Sequence, residues 1–587
     1  MKLILTVMAL SVASCAAPNI PDGFQVLGDR VPEEAGALPI PEGFTEHRPE
    51  INEVAPAWTE DEIDRGYVTF TANWMEKIYP RTVPGRTQIG ADLAAFCSRG
   101  EYEPVTFSVH ALRDLQAIQV TVGDLRSDAG RVIRRSDLDV RSVRCWRRRV
   151  WKNPPVSQYE IRPWFLEKRD ALDVPAGRSQ RFWITVRVPE NAKAGTYRGQ
   201  ISVHEAAGGV TKLSLAIEVL PITLKAPPTR HGMYYHMFDE STPRPHAPYS
   251  ADYLAKEVVN MREHGMNTVA VMLYPATPGR VEDGQVKYDL DPVAPFVRSC
   301  LASGLGPGIW NLTVDEFLPA YKGPKSLGAN IRGFVDSFRA RGWPAPVVSF
   351  GDESDATDHF QTVRSLGLIK GAVPEATTIT TIVFPKNSEM FEPHLDIRAF
   401  SSYLDQGGAD RTRRAGRQLW MYSGPSEGPR KANRFYRGLW AAALGLDGVL
   451  DWVYFTVKAH DRLYDDLAGP GRPNHRGWVL PSKGGPIPTL SWEATREGID
   501  DGKYFHTLER LIEEARGVDE ASVTAAARRG KGLLERLYSS VDAAPFGDRY
   551  PMHRTCDEMS YESFDAFRYE VAQHIIDLQK KLGTRTR

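Results

Sequence analysis

Val347-Val348-Ser349-Phe350-Gly351-Asp352-Glu353 stands near the middle of this 587-residue chain, and its reading decides the fold. The apolar run reads as a short buried strand with two neighbouring carboxylates at its end. Working outward, similar runs occur at 232–237, 268–273 and 306–312 before it, and at 378–384, 397–403, 418–422 and 448–454 after it. Helix-period segments separate most of them, at 253–264, 293–303, 331–341, 359–370, 431–444 and 492–515. Only the stretches after 378–384 and 397–403 lack a clear helical pattern. Eight strands alternating with helices in about 290 residues predict a (β/α)8 TIM-type barrel, which sets its chemistry at the C-terminal strand ends. Asp352 and Glu353 would then stand at the mouth.

The rest of the chain is organised around that barrel. Met1-Lys2, the apolar run 3–12 and Val12-Ala13-Ser14-Cys15 have the form of a bacterial lipoprotein signal, with Cys15 as the lipidated residue. The plain secretory peptide is the alternative. No later run reaches 18 uninterrupted apolar residues, so a lipid anchor would be the membrane attachment, on an exported protein at the outer membrane, periplasm or cell surface. Residues 16–57 are rich in Pro, Gly and Glu and predict a flexible tether. Residues 58–227 alternate in short β-branched and aromatic runs, such as Phe182-Trp183-Ile184-Thr185-Val186, and predict a β-sandwich. The barrel follows over 228–517, and a helical extension over 518–587 carries apolar residues at Phe567, Val571, Ile575, Ile576 and Leu578.

Composition narrows the partners. Formal net charge is -1, with 42% hydrophobic and 25% charged residues, an ordinary globular balance. The one dense basic run, Arg144 to Arg149, predicts a solvated strand or loop edge and not a nucleic-acid face. Cys97, Cys145, Cys300 and Cys556 fit no zinc spacing. Cys97 and Cys145 are either an oxidised pair or buried thiols. There is no Gly-rich phosphate loop and no HExxH, so neither a metal nor a nucleotide cofactor is implied.

The strand ends carry a consistent set of side chains. Tyr235 and His236 follow the first strand, Trp310 and Asn311 the third, and Tyr403 with Asp405 the sixth. Trp420 and Tyr422 lie on the seventh, and Asp451, Trp452 and Tyr454 on the eighth. Rings beside carboxylates suit a sugar, whose C–H face stacks on an aromatic while its hydroxyls meet polar groups. Each residue also has a plainer reading. The tryptophans can be barrel core, His236 a cap, and Asp451 an ion-pair partner of Lys458.

Longer matches sharpen this. They include Gly100-Glu101-Tyr102-Glu103-Pro104, Val188-Pro189 and Ala194-Gly195-Thr196-Tyr197-Arg198-Gly199. In the barrel they are Gly351-Asp352-Glu353, Arg437-Gly438-Leu439-Trp440, Gly445-Leu446-Asp447-Gly448-Val449 and Trp452-Val453-Tyr454. The most distinctive is Trp492-Glu493-Ala494-Thr495-Arg496-Glu497-Gly498-Ile499-Asp500-Asp501. Over roughly residues 90–580 the chain resembles glycoside hydrolase family 123 and the related domain-of-unknown-function 4091 proteins. The resemblance implies a retaining β-N-acetylgalactosaminidase-like hydrolase using substrate-assisted catalysis. Glu353 would be general acid and then base, and Asp352 would orient the substrate's 2-acetamido group as the nucleophile. Ser354 departs from the proline that relatives often carry after the pair. Two other readings stay open: a glycan-binding lipoprotein without turnover, and double displacement on neutral sugars with Asp405, Glu427 or Asp451 as nucleophile.

Overall fold

The computed structural model describes residues 28–583 apart from 91, 151–154, 207–208, 237–250, 273–278, 284, 307–308, 312–323, 350–358, 383–389, 391–392, 402–403, 405, 423–428, 460–461, 469–472 and 542–552. The leader and Cys15 lie outside these residues, as do Asp352, Glu353, Tyr403, Asp405 and Glu427.

The described residues between 45 and 219 build two β-sheets. One runs in the order Thr45–Glu46, Gln158–Glu167, Leu138–Arg149, Ser179–Arg187, Tyr102–Ala111, Tyr67–Phe70. The other runs Leu172–Val174, Leu115–Val122, Gly195–His204, Val210–Val219, Leu93–Cys97. Val210–Val219 shows why the second sheet has one wet face. It buries Leu213, Leu215, Ile217 and Val219 and leaves the residues between them exposed or half-buried. Its inner face shares a core with Val105, Phe107, Val109, Phe182, Ile184 and Val186 of the first sheet.

The first sheet is buried on both faces, and this determines how the halves of the molecule meet. Tyr102–Ala111 is buried at every residue from Glu103 onward. Val143, Leu166 and Trp183 join a core with Phe400, Leu419, Leu439 and Trp440, while Trp146, Trp164 and Phe165 join one with Met233, Val271 and Phe296. The basic run lies here and not at a solvated edge. Arg148 is 1% exposed, stacks 3.7 Å above the Trp164 ring and pairs with Asp466 at 3.1 Å. The Arg149 backbone amide donates to Asp466 at 2.8 Å and its guanidinium to the Leu467 carbonyl at 2.9 Å. Trp146 Nε1 donates to the Tyr464 carbonyl at 2.8 Å. Carboxylates distant in sequence account for the run: buried Asp466 lies 317 residues beyond Arg149, and Arg144 pairs with Glu33.

Parts of the stretch expected as a tether pack on the sheets, while most of 36–57 is exposed. Val31 and Ala35 are buried in the core that holds Trp146. Thr45–Glu46 adds as a parallel edge strand to Gln158 and Tyr159. Cys97, Cys145, Cys300 and Cys556 are free thiols, and burial raises the pKa of all four.

The second half holds eight parallel strands: β1 (Arg230–His236), β2 (Ala270–Met272), β3 (Ile309–Asn311), β4 (Val347–Ser349), β5 (Thr377–Ile382), β6 (Ile397–Ser401), β7 (Gln418–Tyr422) and β8 (Gly448–Asp451). They pair in the order β3-β2-β1-β8-β7-β6-β5-β4. Side chains from β1, β2, β5, β6, β7 and β8 meet on one face, among them Tyr234, Ala270, Ile379, Ala399, Trp420 and Leu450. The sheet is therefore rolled through at least half of a barrel.

Helices cover its outer face: α1 (Ala251–Glu263), α2 (Ala294–Ala302), α3 (Pro324–Ala340), α4 (His359–Ala372), α5 (Gln406–Arg414), α6 (Arg430–Phe435) and α7 (Leu490–Ala515). A π-helical turn, Tyr436–Trp440, extends α6 into Ala441–Ala443. Thr489 caps α7, accepting from the Trp492 amide. Then come α8 (Ala521–Ser539), α9 (Arg554–Glu558) and α10 (Tyr561–Gly583), whose Val523, Leu533, Val571 and Ile575 pack in the core that holds Phe400 and Leu419.

Candidate functional site

β4 ends at Ser349, three residues before Asp352. Val348 is buried with Phe334 and Val335 of α3, whereas Val347 packs against the inner cluster. The side chains of His236, Trp310 and Asn311 lie outside the described residues, although their backbones belong to β1 and β3.

The strand period sorts the remaining expected residues by face. Tyr422 and Trp452 lie on the inner face with Tyr234, which the sequence reading passed over in favour of its neighbours. The Tyr234 ring meets Tyr422 edge-on at 5.3 Å and Trp452 at 5.4 Å, tilted by 48°. These three rings come from the adjacent strands β1, β8 and β7: Tyr422 ends β7, Trp452 directly follows β8, and Tyr234 stands two residues before the end of β1. Tyr234 and Tyr422 are each 7% exposed and Trp452 is half-buried, so they form the upper rim of the inner cluster.

Trp420 sits two residues before Tyr422 and is 2% exposed. Its Nε1 donates to Gln418 Oε1 at 2.9 Å, and its ring fills the space where a Cβ on Gly448 would stand, 2.2 Å away. It is the floor of the cluster and offers no open ring face. Tyr235 points the other way. Its hydroxyl donates to Glu257 of α1 and its ring stacks on Phe296 of α2 at 4.5 Å. Tyr454 also lies among the helices, donating to Asn260 Oδ1 at 3.0 Å. Both tyrosines are structural. Tandem tyrosines in one strand must face opposite ways, and only packing decides which turns inward.

Asp451 also turns outward. It is buried against Arg437, whose Nε donates to Oδ2 at 3.2 Å. Burial pushes its pKa up, and the guanidinium draws it back. Facing the helices, it is not placed to attack a sugar on the inner face, and its partner is Arg437 and not Lys458.

The motifs of the N-terminal sheets and α7 build a charged joint. Tyr504 donates to Glu101 Oε2 at 2.7 Å. Arg568 of α10 bonds Asp501 at 2.5 Å and Glu497 at 2.9 Å, and stands 3.6 Å from Glu103. Arg434 bonds Asp501 at 2.8 Å and Asp565 at 2.7 Å. Glu493 accepts from Arg496 at 2.5 Å and lies 3.1 Å from His264. A cleft of about 780 Å³ opens beside this joint, lined by Glu101, Tyr102, Arg187, Arg496, Asp500 and Lys503 among others. It also touches Arg262 and Gly265 at the C-terminal end of α1, which leads into the start of β2. It therefore lies on the N-terminal side of the sheet, away from the three rings. Among the described residues, no group of three or more His, Cys, Asp or Glu side chains is arranged to hold a metal ion.

Comparison with known proteins agrees with this architecture. Residues 79–205 match the glycoside hydrolase 123 N-terminal domain. The structure is similar to that of a family 123 glycoside hydrolase from Clostridium perfringens that hydrolyses glycolipid glycans. Identity is 12%, the match covers 89% of this chain and 100% of that one, and the TM-score is 0.66. A GH2 β-galacturonidase from Eisenbergiella tayi aligns at 11% identity over 77% of this chain and 73% of its own, with a TM-score of 0.32. At that score the likeness falls short of a shared fold. No curated protein matches the sequence. Residues 79–205 are thus similar to the glycoside hydrolase 123 N-terminal domain, and the chain shares the fold of a family 123 glycoside hydrolase.

Proposed function

We propose that this protein is a retaining glycoside hydrolase acting on terminal β-N-acetylhexosaminides, β-N-acetylgalactosaminidase-like, by substrate-assisted catalysis. The observation that carries the reading is the rim of three rings, Tyr234, Tyr422 and Trp452, on the face of the sheet where β4 ends three residues before Asp352. Such a rim suits the apolar face of a sugar ring. Glu353 would protonate the leaving oxygen and then activate water. Asp352 would hold the 2-acetamido group while its oxygen attacks the anomeric carbon. The outward turn of Asp451 favours this route over double displacement from that residue. The glycan of a glycolipid is the substrate class suggested by the Clostridium perfringens enzyme.

The same reading gives the architecture. The strand order runs around a circle, and Cα atoms of β3 and β4 come within 8 Å of one another, which supports closure into a (β/α)8 barrel. The two N-terminal sheets with their common core would form a β-sandwich at about 58–227, with the barrel at 228–517 and the helical extension at 518–587. Residues 1–15 would be a lipoprotein signal, placing the enzyme outside the cytoplasm on a lipid at Cys15.

The test is turnover of 4-nitrophenyl glycosides, with and without a 2-acetamido group, by the wild type and by Glu353→Gln. The substitution lowers turnover of the 2-acetamido substrate roughly 10²–10⁴-fold. Asp352→Asn loses most on that same substrate. Unchanged turnover in Glu353→Gln removes the acid role, and glycan binding with no turnover in either protein makes it a binding protein.

A further inference from the structure

Arg437 sits in the π-helical turn behind the sheet and is 3% exposed. Its five N–H groups make five bonds, all to β1 and β8. Nε and Nη2 donate to Asp451 Oδ2, Nη2 also to the Gly232 carbonyl at 3.0 Å, and Nη1 to the Val449 carbonyl at 3.1 Å and His231 Nδ1 at 3.4 Å. Guanidinium geometry is rigid, so such a set fixes two strands relative to one another more sharply than an ammonium could. The helix cannot back away. A Cβ on Gly438 would stand 2.8 Å from the Gly498 carbonyl of α7, and one on Gly498 2.3 Å from the Arg434 carbonyl.

The register makes this relevant to the inner face. Met233 of β1 is opposite Asp451 of β8, so the next residues are Tyr234 and Trp452, the two rings that meet at 5.4 Å. A buried ion pair adds little net stability over apolar packing, and its best-attested use is to select one arrangement. We propose that Arg437 and Asp451 are a positioning pair: from behind the sheet they tie the first half of β1 to β8, one residue before the level of Tyr234 and Trp452, and so hold that rim at the spacing that receives the sugar. This rests on the glycosidase reading for the identity of the ligand. Neither residue touches substrate.

Two measurements test it. In 5-fluorotryptophan protein, the Trp452 resonance is assigned by its loss in Trp452→Phe, with that of Trp58, which stacks on His110 in the N-terminal half, as a control. Arg437→Lys and Asp451→Asn shift the Trp452 signal and leave Trp58 in place; an unmoved Trp452 signal in a folded variant overturns the proposal. His231→Gln, a milder change at the same cluster, serves if the first two do not fold, and shifts the signal in the same way. In kinetics with 4-nitrophenyl N-acetyl-β-D-galactosaminide, the variants raise KM roughly tenfold and change kcat less. A fall in kcat alone, in proportion to the folded fraction, marks a purely structural role and also overturns it. Trp452→Ala separates the two ideas. If it leaves KM and kcat unchanged, the rim is not a sugar site and the functional reading fails, whereas the resonance test still judges the pair.

Discussion

A tyrosine's direction decides which side of a sheet it can serve, and two adjacent tyrosines here face opposite ways. Tyr235 bonds Glu257 among the helices, whereas Tyr234 faces Tyr422 and Trp452. Tyr235→Phe should therefore leave glycoside kinetics unchanged while costing about 1–3 kcal/mol of stability, measured by urea unfolding, because a buried acceptor loses its donor. A large rise in KM in that variant would return Tyr235 to the site. Arg148 gives the complementary case at the joint between the halves. Replacing it with alanine leaves the buried Asp466 without its 3.1 Å ion-pair partner and exposes the Trp164 face to a void. The expected loss is about 3–5 kcal/mol. Neither direction could be read locally: tandem tyrosines and an arginine run look the same whether they face solvent, helix or sheet.

Strands and helices were more legible than single side chains. The run at 418–422 predicted β7 at its observed bounds, Gln418–Tyr422, because apolar residues fill a short stretch between polar ones. The eight strands pair in the order their spacing implied, save that among the described residues no pairing joins β3 to β4. The helix Gln406–Arg414 was missed since QGGADRTRR offers almost no apolar residue to mark a period. Its few buried positions are Gly408, Ala409 and Thr412, with Thr412 accepting from Arg398 of β6 at 3.0 Å. Close helix contact yields another prediction. Gly498→Ala puts a methyl group 2.3 Å from the Arg434 carbonyl, so α6 and α7 must part. The cost should be about 1–3 kcal/mol by thermal unfolding. A variant as stable as the wild type would mean that the helices separate without strain.

At the scale of the whole molecule, the charged joint between the N-terminal sheets, α7 and α10 makes stability depend on pH. Burial, with help from Asp500 and against Arg568, pushes the Glu101 pKa up to about 7 from an ordinary 4.5. The unfolded chain then loses this proton first. The stabilisation from proton retention is complete below about pH 4.5 and is lost as pH rises through about 7. Glu493 behaves in the opposite sense. Burial would raise it, but Arg496 and His264 hold it at about 2, so its contribution is present above about 4.5 and fades as pH falls toward about 2. The urea midpoint should therefore decline from mildly acidic to neutral pH, and Glu101→Gln should flatten that decline; a wild-type midpoint constant across the window would count against a protonated Glu101. Taken alone, the sequence determined the strand and helix periods, their alternation and the resemblance to family 123, because period and turn chemistry are local properties of the chain. Which ring faced the inside of the sheet, what partnered the arginine run, and what role the Glu101 and Trp492–Asp501 motifs serve were decided only by tertiary structure. Each depends on groups tens to hundreds of residues away that packing, and not proximity along the chain, brings into contact.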